Sequence, residues 1–167
     1  MEREELESAL EALHPASFGW ALSCCYRDRE EAEEVLQMSY LKIIEGKARF
    51  DGRSSFKTWL FAVIRKTALE RFRWRRVRRL FFIETSVSTP PDQIHERNDR
   101  VERLVRALGQ ISPRQREVLE LVFYHEMTIE EAAQSLGISL GSARVHYERG
   151  KRRLMSILNE EERVAFA

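Results

Sequence analysis

The chain has 167 residues, of which 43% are hydrophobic and 33% charged, so it can build a globular core beneath a heavily charged surface. Its formal net charge of +1 excludes neither nucleic acid nor protein as a partner. No apolar run approaches the ~20 residues of a membrane span and no secretory signal is recognisable, so we expect a cytoplasmic protein without membrane insertion.

Its two cysteines, Cys24 and Cys25, are adjacent in the sequence, which excludes a disulfide framework and a Cys-x-x-Cys motif. We expect two reduced thiols, and a redox switch is the alternative interpretation.

Two helices are predicted before residue 27. Periodic leucines indicate a helix over residues 2–13. Pro15 predicts a break at residues 14–15, because the residue before proline avoids the helical region. A second, apolar helix is then expected over residues 16–26.

An acidic helix is predicted next. Asp28 is placed to cap it, and glutamates fill its first turns near the positive end of the helix dipole. Its inward face comprises Ala32, Val35, Leu36 and Ile43. A loop containing two glycines is expected over residues 45–54.

The longest predicted helix begins after Ser55 and runs from about Phe56 to about Arg79. Its core stripe comprises Leu60, Val63, Ile64, Ala68 and Phe72. From residue 65 to 79 it carries eight basic residues against one glutamate. A solvated basic face and a membrane-surface helix are alternatives, but aromatic residues between the arginines favour stacking and phosphate contact with nucleic acid.

Residues 86–93, which include two prolines, are predicted to form an exposed linker, and the apolar run at 80–83 is expected to dock on other residues. Beyond the linker, an amphipathic helix is predicted from Glu96 to near Gly109. Ser112 and Pro113 then have the residue types of a helix start.

No sustained period-two pattern occurs, so the chain is predicted to be all-α. We expect two small helical domains, at residues 1–80 and 96–160, joined by a flexible linker at 81–95 and followed by a tail at 161–167.

A helix-turn-helix is predicted between Thr128 and Leu158. Thr128 and Glu131 have capping-box spacing, Gly137 suits the left-handed end of the first helix, and Ser139 can cap the second. On the second helix a polar, basic stripe lies roughly 110° from the apolar face. This arrangement is typical of a DNA recognition helix, and an ordinary helical hairpin with a solvated basic face is the alternative.

Known catalytic motifs are absent from the sequence: it has no Gly-rich phosphate loop, no His-Glu-x-x-His and no Gly-x-Ser-x-Gly. The four histidines are scattered without the spacing of metal ligands. We therefore expect a protein that is not an enzyme and needs no cofactor or metal.

Two segments resemble one family. AEEVLQMSYLKII at 32–44 and FDGRSSFKTWLFAVIRKTALERFRWRR at 50–76 look like region 2 of bacterial RNA polymerase sigma factors of the extracytoplasmic function group. ISPRQREVLELVFYHEMTIEEAAQSLGISLGSARVHYERGKRRL at 111–154 looks like their region 4. The resemblance implies a sigma factor that binds core RNA polymerase and promoter DNA, and that an anti-sigma factor regulates.

The resemblance also implies roles for matching positions. Contacts to core polymerase are implied for Glu33, Glu34 and Gln37. Recognition and opening of the −10 element are implied for Arg53, Phe56, Lys57, Trp59, Lys66, Glu70, Arg71, Arg73, Arg75 and Arg76. Recognition of the −35 element is implied for Ser139, Ser142, Arg144, His146, Arg149 and Arg153.

Four positions depart from the family pattern. The family commonly has asparagine in place of Lys66, aspartate in place of Glu70, arginine in place of His146 and a small aliphatic residue in place of Gly150. A glycine within a helix costs roughly 1 kcal/mol relative to alanine, so Gly150 is expected to permit close approach to a neighbouring helix.

Two other functions compete with this interpretation. A free-standing helix-turn-helix regulator needs a sensor domain, usually α/β, and would leave the basic aromatic helix at 56–79 unexplained. A recombinase or transposase fragment needs a nucleophile or a set of carboxylates that the sequence does not present.

Overall fold

A computed structural model describes the backbone of residues 3–81 and 99–165 and the side chains of residues 4–75 and 103–160. All regular structure in these ranges is helical, which confirms the all-α prediction. The helices are α1 (Arg3–Cys24), α2 (Arg29–Ile44), α3 (Phe56–Phe81), α4 (Asp99–Gly109), α5 (Pro113–Leu119), α6 (Ile129–Leu136) and α7 (Leu140–Ala165). A single π-helical segment, Glu120–Tyr124, extends α5.

The chain divides into two compact units, Met1–Pro91 and Asp92–Ala167. Helices α1, α2 and α3 pack against one another in the first unit, and α4 to α7 form the second. The predicted linker at 86–93 and all but the start of the apolar run at 80–83 lie outside the described residues.

The predicted break at Pro15 is wrong, because α1 runs without interruption from Arg3 to Cys24. A proline within a helix costs about 3 kcal/mol, since it removes a hydrogen bond and clashes with the preceding turn. Pro15 is exposed, whereas Leu10, Trp20 and Ala21 on the other side of the helix are buried. Burial of these apolar side chains offsets the local cost of the proline. The helix therefore continues through Pro15.

Trp20 joins α1 to α3. Its indole Nε1 donates a 3.0 Å hydrogen bond to the carbonyl oxygen of Phe61, and the two rings stack with their centroids 5.8 Å apart. Both side chains are fully buried. A buried indole that satisfies its N–H in this way stabilises the core without leaving an unpaired donor.

The predicted start and inward face of α2 are confirmed. The Asp28 carboxylate accepts a 3.0 Å hydrogen bond from the backbone N–H of Glu31, as an N-cap does. All four residues predicted for the inward face are buried. Glu31 is buried as well, although it was not predicted to lie on the inward face.

Helix α3 begins as predicted. The Ser55 hydroxyl oxygen accepts a 3.2 Å hydrogen bond from the backbone N–H of Thr58. Of the predicted core stripe, Leu60, Ile64 and Ala68 are buried, whereas Val63 and Phe72 are only half-buried.

In the second unit, α4, α5 and α7 enclose a small core of Ala107, Ile111, Leu119 and Ile157. Ser112 occupies the N-cap position of α5 and Pro113 follows at the first turn, as predicted, but the Ser112 side chain makes no capping hydrogen bond. After the π-helical segment the backbone turns through Glu126, which adopts a left-handed φ of 55°.

The helix-turn-helix of α6 and α7 is confirmed. Thr128 and Glu131 form the capping box, with the Thr128 Oγ1 accepting from the Glu131 N–H at 3.1 Å and the Glu131 Oε2 accepting from the Thr128 N–H at 2.9 Å. Gly137 has a left-handed φ of 64°. The Ser139 Oγ accepts from the Ser142 N–H at 3.1 Å and so caps α7.

Gly150 lies where α7 crosses α5. A Cβ at this position would come within 3.1 Å of the Gln115 Cβ and 3.2 Å of the Leu119 Cδ1. The expected close approach to a neighbouring helix is therefore confirmed, and it sets how deeply α7 is seated in the second unit.

Candidate nucleic-acid interface

Helix α7 presents a polar stripe along its outer face. Ser142, Arg149 and Arg153 are exposed and His146 is half-buried, and helical spacing aligns all four along the axis. Neither arginine forms an ion pair with any residue whose side chain is described. Two unpaired guanidinium groups on the outer face of a helix can reach both base edges and phosphates in a major groove.

Two further exposed residues lie outside this stripe. Arg144 is exposed on a different face of α7, where a flanking phosphate is within its reach. Val145 is 46% exposed beside the stripe and was not among the predicted residues. An apolar residue on the outward face of a recognition helix was the available signal, since such side chains contact the methyl group of thymine.

At the start of α3, three aromatic rings form a cluster with the loop that precedes the helix. Centroids of Phe50, Phe56 and Trp59 lie 5.3 to 5.4 Å from one another, and all three side chains are half-buried. Phe50 was not among the predicted residues. Half-buried aromatic faces at a loop provide a platform on which an unpaired base can stack.

Basic residues surround this aromatic cluster. Arg53 is exposed in the loop and pairs with Asp51 at 2.9 Å. Lys57 lies over the Phe61 ring, with its Nζ 5.8 Å from the centroid. The aromatic surface thus lies within reach of cationic side chains that can hold a phosphate backbone.

Farther along α3, Lys66 and Arg73 are exposed on one face of the helix, and neither pairs with a residue in the described part of the chain. Trp74 is 70% exposed beside them. The side chain of Arg76 lies outside the described residues.

Arg71 and Arg75, also predicted from the resemblance to contact DNA, point instead towards α2. The Arg71 Nε lies 2.6 Å from the Glu31 Oε1, and the Arg75 Nη2 lies 2.8 Å from the Glu31 Oε2. Arg71 also forms an ion pair with Glu34. Hydrogen bonding to Glu31 raises the pKa of the Arg71 guanidinium further above its ordinary value, so the group stays charged.

Glu70 occupies a similar bridge between helices. Its Oε2 lies 2.5 Å from the Nζ of Lys42, which also donates to the Thr67 hydroxyl at 3.1 Å. The structure therefore places Glu70 against α2, whereas the resemblance assigned it to the −10 surface.

The outward face of α2 changes character along its length. Its first turns expose Glu33, Glu34 and Gln37. Its last turns expose Leu41 (48%) and Ile44 (54%), which the sequence analysis did not assign. A charged patch continued by exposed aliphatic side chains is characteristic of a protein-binding surface.

Cys25 is buried in the turn between α1 and α2. Burial, with smaller contributions from Glu31 and Asp28, raises the pKa of the Cys25 thiol to about 12. The thiol therefore stays protonated near neutral pH, which makes it a poor nucleophile and a poor redox sensor.

Within the described residues, no three His, Cys, Asp or Glu side chains are grouped as metal ligands would be. The described helices also include none with the length and apolarity needed to cross a bilayer.

Comparison with family models identifies both units. Residues 9–79 match the model "Sigma-70 region 2", and residues 101–154 match the model "Sigma-70, region 4". The two matches follow the order in which the aromatic, basic α3 and the helix-turn-helix occur in the chain.

Known proteins resemble the chain over most of its length. The RNA polymerase sigma factor YlaC of Bacillus subtilis is 30% identical over 146 residues, which are 81% of this chain and 83% of that protein. The ECF RNA polymerase sigma factor SigX of the same organism is 29% identical over 147 residues, 81% of this chain and 76% of that protein. Among solved structures, the sigma factor RpoE of Bartonella quintana, in complex with the anti-sigma factor NepR, is similar with a TM-score of 0.73 and 24% identity, covering 93% of this chain and 98% of that one.

Proposed function

The chain belongs to the sigma-70 family of RNA polymerase sigma factors, in its extracytoplasmic function group, and we propose which surfaces of its two units carry out promoter recognition. It is a promoter-directing subunit of RNA polymerase, with region 2 acting at the −10 element and region 4 at the −35 element. We propose that it acts in the cytoplasm, where the chromosome is, as a binding and specificity subunit without catalytic activity of its own.

Recognition of the −35 element is assigned to the outer stripe of α7. Residues in the first turns of a recognition helix contact base edges, and later residues contact the backbone. Ser142, His146 and Arg149 accordingly face the bases, and Arg153 faces phosphate. The observation that supports this assignment is the pair of exposed arginines on α7 that no described carboxylate neutralises.

Recognition and opening of the −10 element are assigned to the aromatic cluster of Phe50, Phe56 and Trp59 together with the exposed cations of α3. Unstacking a base costs a few kcal/mol, and stacking on an aromatic side chain returns about 1–3 kcal/mol per base. Lys66 and Arg73 lie on the exposed face of the same helix, where they can hold the backbone of the separated strand.

Binding to core polymerase is assigned to the outward face of α2. We propose that Glu33, Glu34 and Gln37 meet a basic surface of the polymerase and that Leu41 and Ile44 pack on an adjacent apolar part of it. Complementary charge fixes the register of such a contact, and the buried aliphatic side chains add affinity.

An anti-sigma factor is a further proposed partner. RpoE of Bartonella quintana is in complex with the anti-sigma factor NepR, and CnrH, which is 22% identical to this chain with a TM-score of 0.66, is in complex with a domain of CnrY. These two similar folds support the proposal that this chain is also held inactive by a protein partner.

A free-standing transcriptional regulator is not favoured. Residues 9–79 match sigma-70 region 2, and a regulator of that kind does not need such a unit. The recombinase or transposase interpretation lacks support for the same reason.

Leu41→Lys tests the polymerase-binding face. The substitution places a cation opposite the proposed basic surface and removes aliphatic burial, so affinity for core polymerase should fall at least about tenfold, corresponding to roughly 1.4 kcal/mol. Leu69→Lys, on the exposed part of α3, is the matched control and should leave the affinity unchanged. Glu34→Lys should also weaken binding, but it disrupts the ion pair with Arg71 as well, so the leucine variant is cleaner. Equal affinities of Leu41→Lys and wild type would remove α2 from the interface.

A further inference from the structure

Glu31 is the only carboxylate of α2 that is buried among the residues with described side chains, with 2% of its surface exposed. A buried charge is tolerated only when ionic or hydrogen-bonding partners replace its water. Glu31 has those partners on α3: its Oε1 accepts from the Arg71 Nε at 2.6 Å and its Oε2 from the Arg71 Nη2 at 3.3 Å, and the Arg75 Nη2 forms an ion pair with the Oε2 at 2.8 Å.

Glu34 completes this cluster by pairing with the outer side of Arg71. Two glutamates of α2 therefore neutralise two arginines of α3: the Arg71 side chain is only 23% exposed, and the Arg75 side chain is 55% exposed with its Nη2 held against Glu31. The cluster has no net charge to offer to a phosphate, because each guanidinium already has a carboxylate partner.

Lys66 and Arg73 provide the contrast on the same helix. Each lies roughly 200° around the helix axis from Arg71, on the exposed side of α3, and neither pairs with a described carboxylate. Among these four basic residues of α3, two are thus neutralised on the side of α2 and two are available on the opposite side.

We propose that Glu31 is a specificity-determining residue, which withholds Arg71 and Arg75 from nucleic acid so that α3 engages single-stranded −10 DNA through Lys66, Arg73 and the aromatic cluster. This inference rests on the proposed −10 role of α3. The family resemblance implied that Arg71 and Arg75 contact DNA directly. In this proposal they pair with Glu31 and make no such contact.

The physical reason lies in the nature of phosphate contacts. Each contact adds affinity for every sequence alike, and specificity is the difference between the affinities for the correct and the wrong sequence. A dense basic helix without such neutralisation would hold any strand. Neutralising two of its arginines lowers the sequence-independent part, so the base-dependent contacts of α3 and its loop account for a larger share of the affinity.

Arg75→Gln and Arg73→Gln form the first test, because the two residues are neighbours on α3 and lose the same charge. Binding of the full chain to a short single-stranded DNA of unrelated sequence is measured by fluorescence anisotropy over a series of salt concentrations. Arg73→Gln should reduce the slope of log affinity against log salt by about 0.7, the value for one phosphate contact on a single strand. Arg75→Gln should leave the slope unchanged, and an equal reduction in both variants would overturn the proposal.

Glu31→Gln is the second test, and Glu30→Gln, an exposed neighbour, is its control. Loss of the Glu31 charge releases the arginines, so the salt slope should steepen by about 0.7 for each arginine that gains a phosphate. Preference for a single strand carrying the downstream element selected in run-off transcription, over a scrambled strand, should fall. The same substitution in an Arg71→Gln, Arg75→Gln background should have no effect on the slope, because Glu31 acts through those residues.

A merely structural role for Glu31 predicts a different pattern, in which Glu31→Gln lowers thermal stability and weakens binding to all DNA without steepening the slope. That pattern would overturn the inference. If Glu31→Gln does not fold, the difference in salt slope between Arg73→Gln and Arg75→Gln still supports or overturns it. The proposed function is tested apart from this, by promoter-directed transcription with wild-type protein. If wild type transcribes and the slopes contradict the proposal, only the role of Glu31 is wrong.

Discussion

Gly150→Ala is the substitution whose effect the structure determines most closely. Alanine is favoured over glycine within a helix by about 1 kcal/mol, so helix propensity alone predicts that the variant is more stable. The contact with α5 opposes this, because the new Cβ would lie 3.1 Å from the Gln115 Cβ and 3.2 Å from the Leu119 Cδ1. Carbon atoms in optimal contact are about 3.5–4.0 Å apart.

The two close neighbours differ in how easily they can move. The Leu119 methyl group can shift by a small rotation, but the Gln115 Cβ is bonded to the backbone of α5 and moves only with that helix. Overpacking of this kind costs about 1–3 kcal/mol. After the gain in propensity, we expect Gly150→Ala to lower the free energy of unfolding by about 1 kcal/mol, which is a fall of about 4–8 °C in Tm for a unit of this size.

Gly141→Ala is the matched control on the same helix. Its Cβ would meet only the Ser139 Oγ, at 4.0 Å, so helix propensity should act alone and stabilise the unit, by less than the ~1 kcal/mol of a helix interior because Gly141 lies in the first turn. Thermal unfolding of the second unit is followed by far-ultraviolet circular dichroism. Trp20, Trp59 and Trp74 all lie in the first unit, so the tryptophan fluorescence transition should not change in either variant. Equal stabilisation by both alanines would show that α7 and α5 are farther apart than described.

Three further predictions concern separate residues. Glu126→Gly should stabilise the second unit by about 1 kcal/mol in denaturant unfolding, because Glu126 has a left-handed φ of 55° that favours glycine; a loss of stability would contradict this geometry. Stability should fall as the pH rises above about 9, because the folded protein keeps the Cys25 proton up to about pH 12 whereas the unfolded chain loses it. Cys25→Ala should lessen that fall and Cys24→Ala should not, as measured by unfolding at several pH values, and identical pH profiles would refute the assignment. Arg149→Ala should flatten the base preference at one position of the −35 element, whereas Arg153→Ala should weaken binding to all sequences and reduce the salt slope by about one, and the reverse pattern would place α7 in a different register.

Local rules predicted those parts of the fold that depend on a few neighbouring residues. The capping box at Thr128, the left-handed Gly137 and the caps at Asp28 and Ser139 all follow from interactions within three or four residues. The same kind of rule failed at Pro15, because burial of Trp20 and its neighbours against α3 outweighs a local preference.

The sequence predicted which helices form the candidate site. It did not predict which arginines of α3 are paired with carboxylates. The acidic start of α2 suggests a solvated face, and helical spacing places Glu31 and Glu33 about equally far from the inward face, on opposite sides of it. Glu31 differs because Arg71, 40 residues away, meets it across the packed helices. A partner at that separation has no signature in helical periodicity, so the neutralised arginines were assigned to DNA along with the exposed ones.

The exposure and placement of several apolar side chains were also missing from the predicted site. Leu41 and Ile44 have the residue types of a core face, but helical spacing places Leu41 opposite the inward face of α2 and Ile44 well away from it, and both are exposed in the structure. Phe50 similarly joins the aromatic cluster through the fold of the loop, although it lies outside the helix whose periodicity guided the prediction.

In vitro run-off transcription with purified core RNA polymerase on a promoter library tests the central claim most directly. With wild-type protein, core polymerase should initiate from a subset of templates that share an upstream and a downstream element, and Arg149→Ala should change the preferred upstream element alone. Identical transcripts with and without the protein would contradict the account, as would activity that requires a second sigma factor.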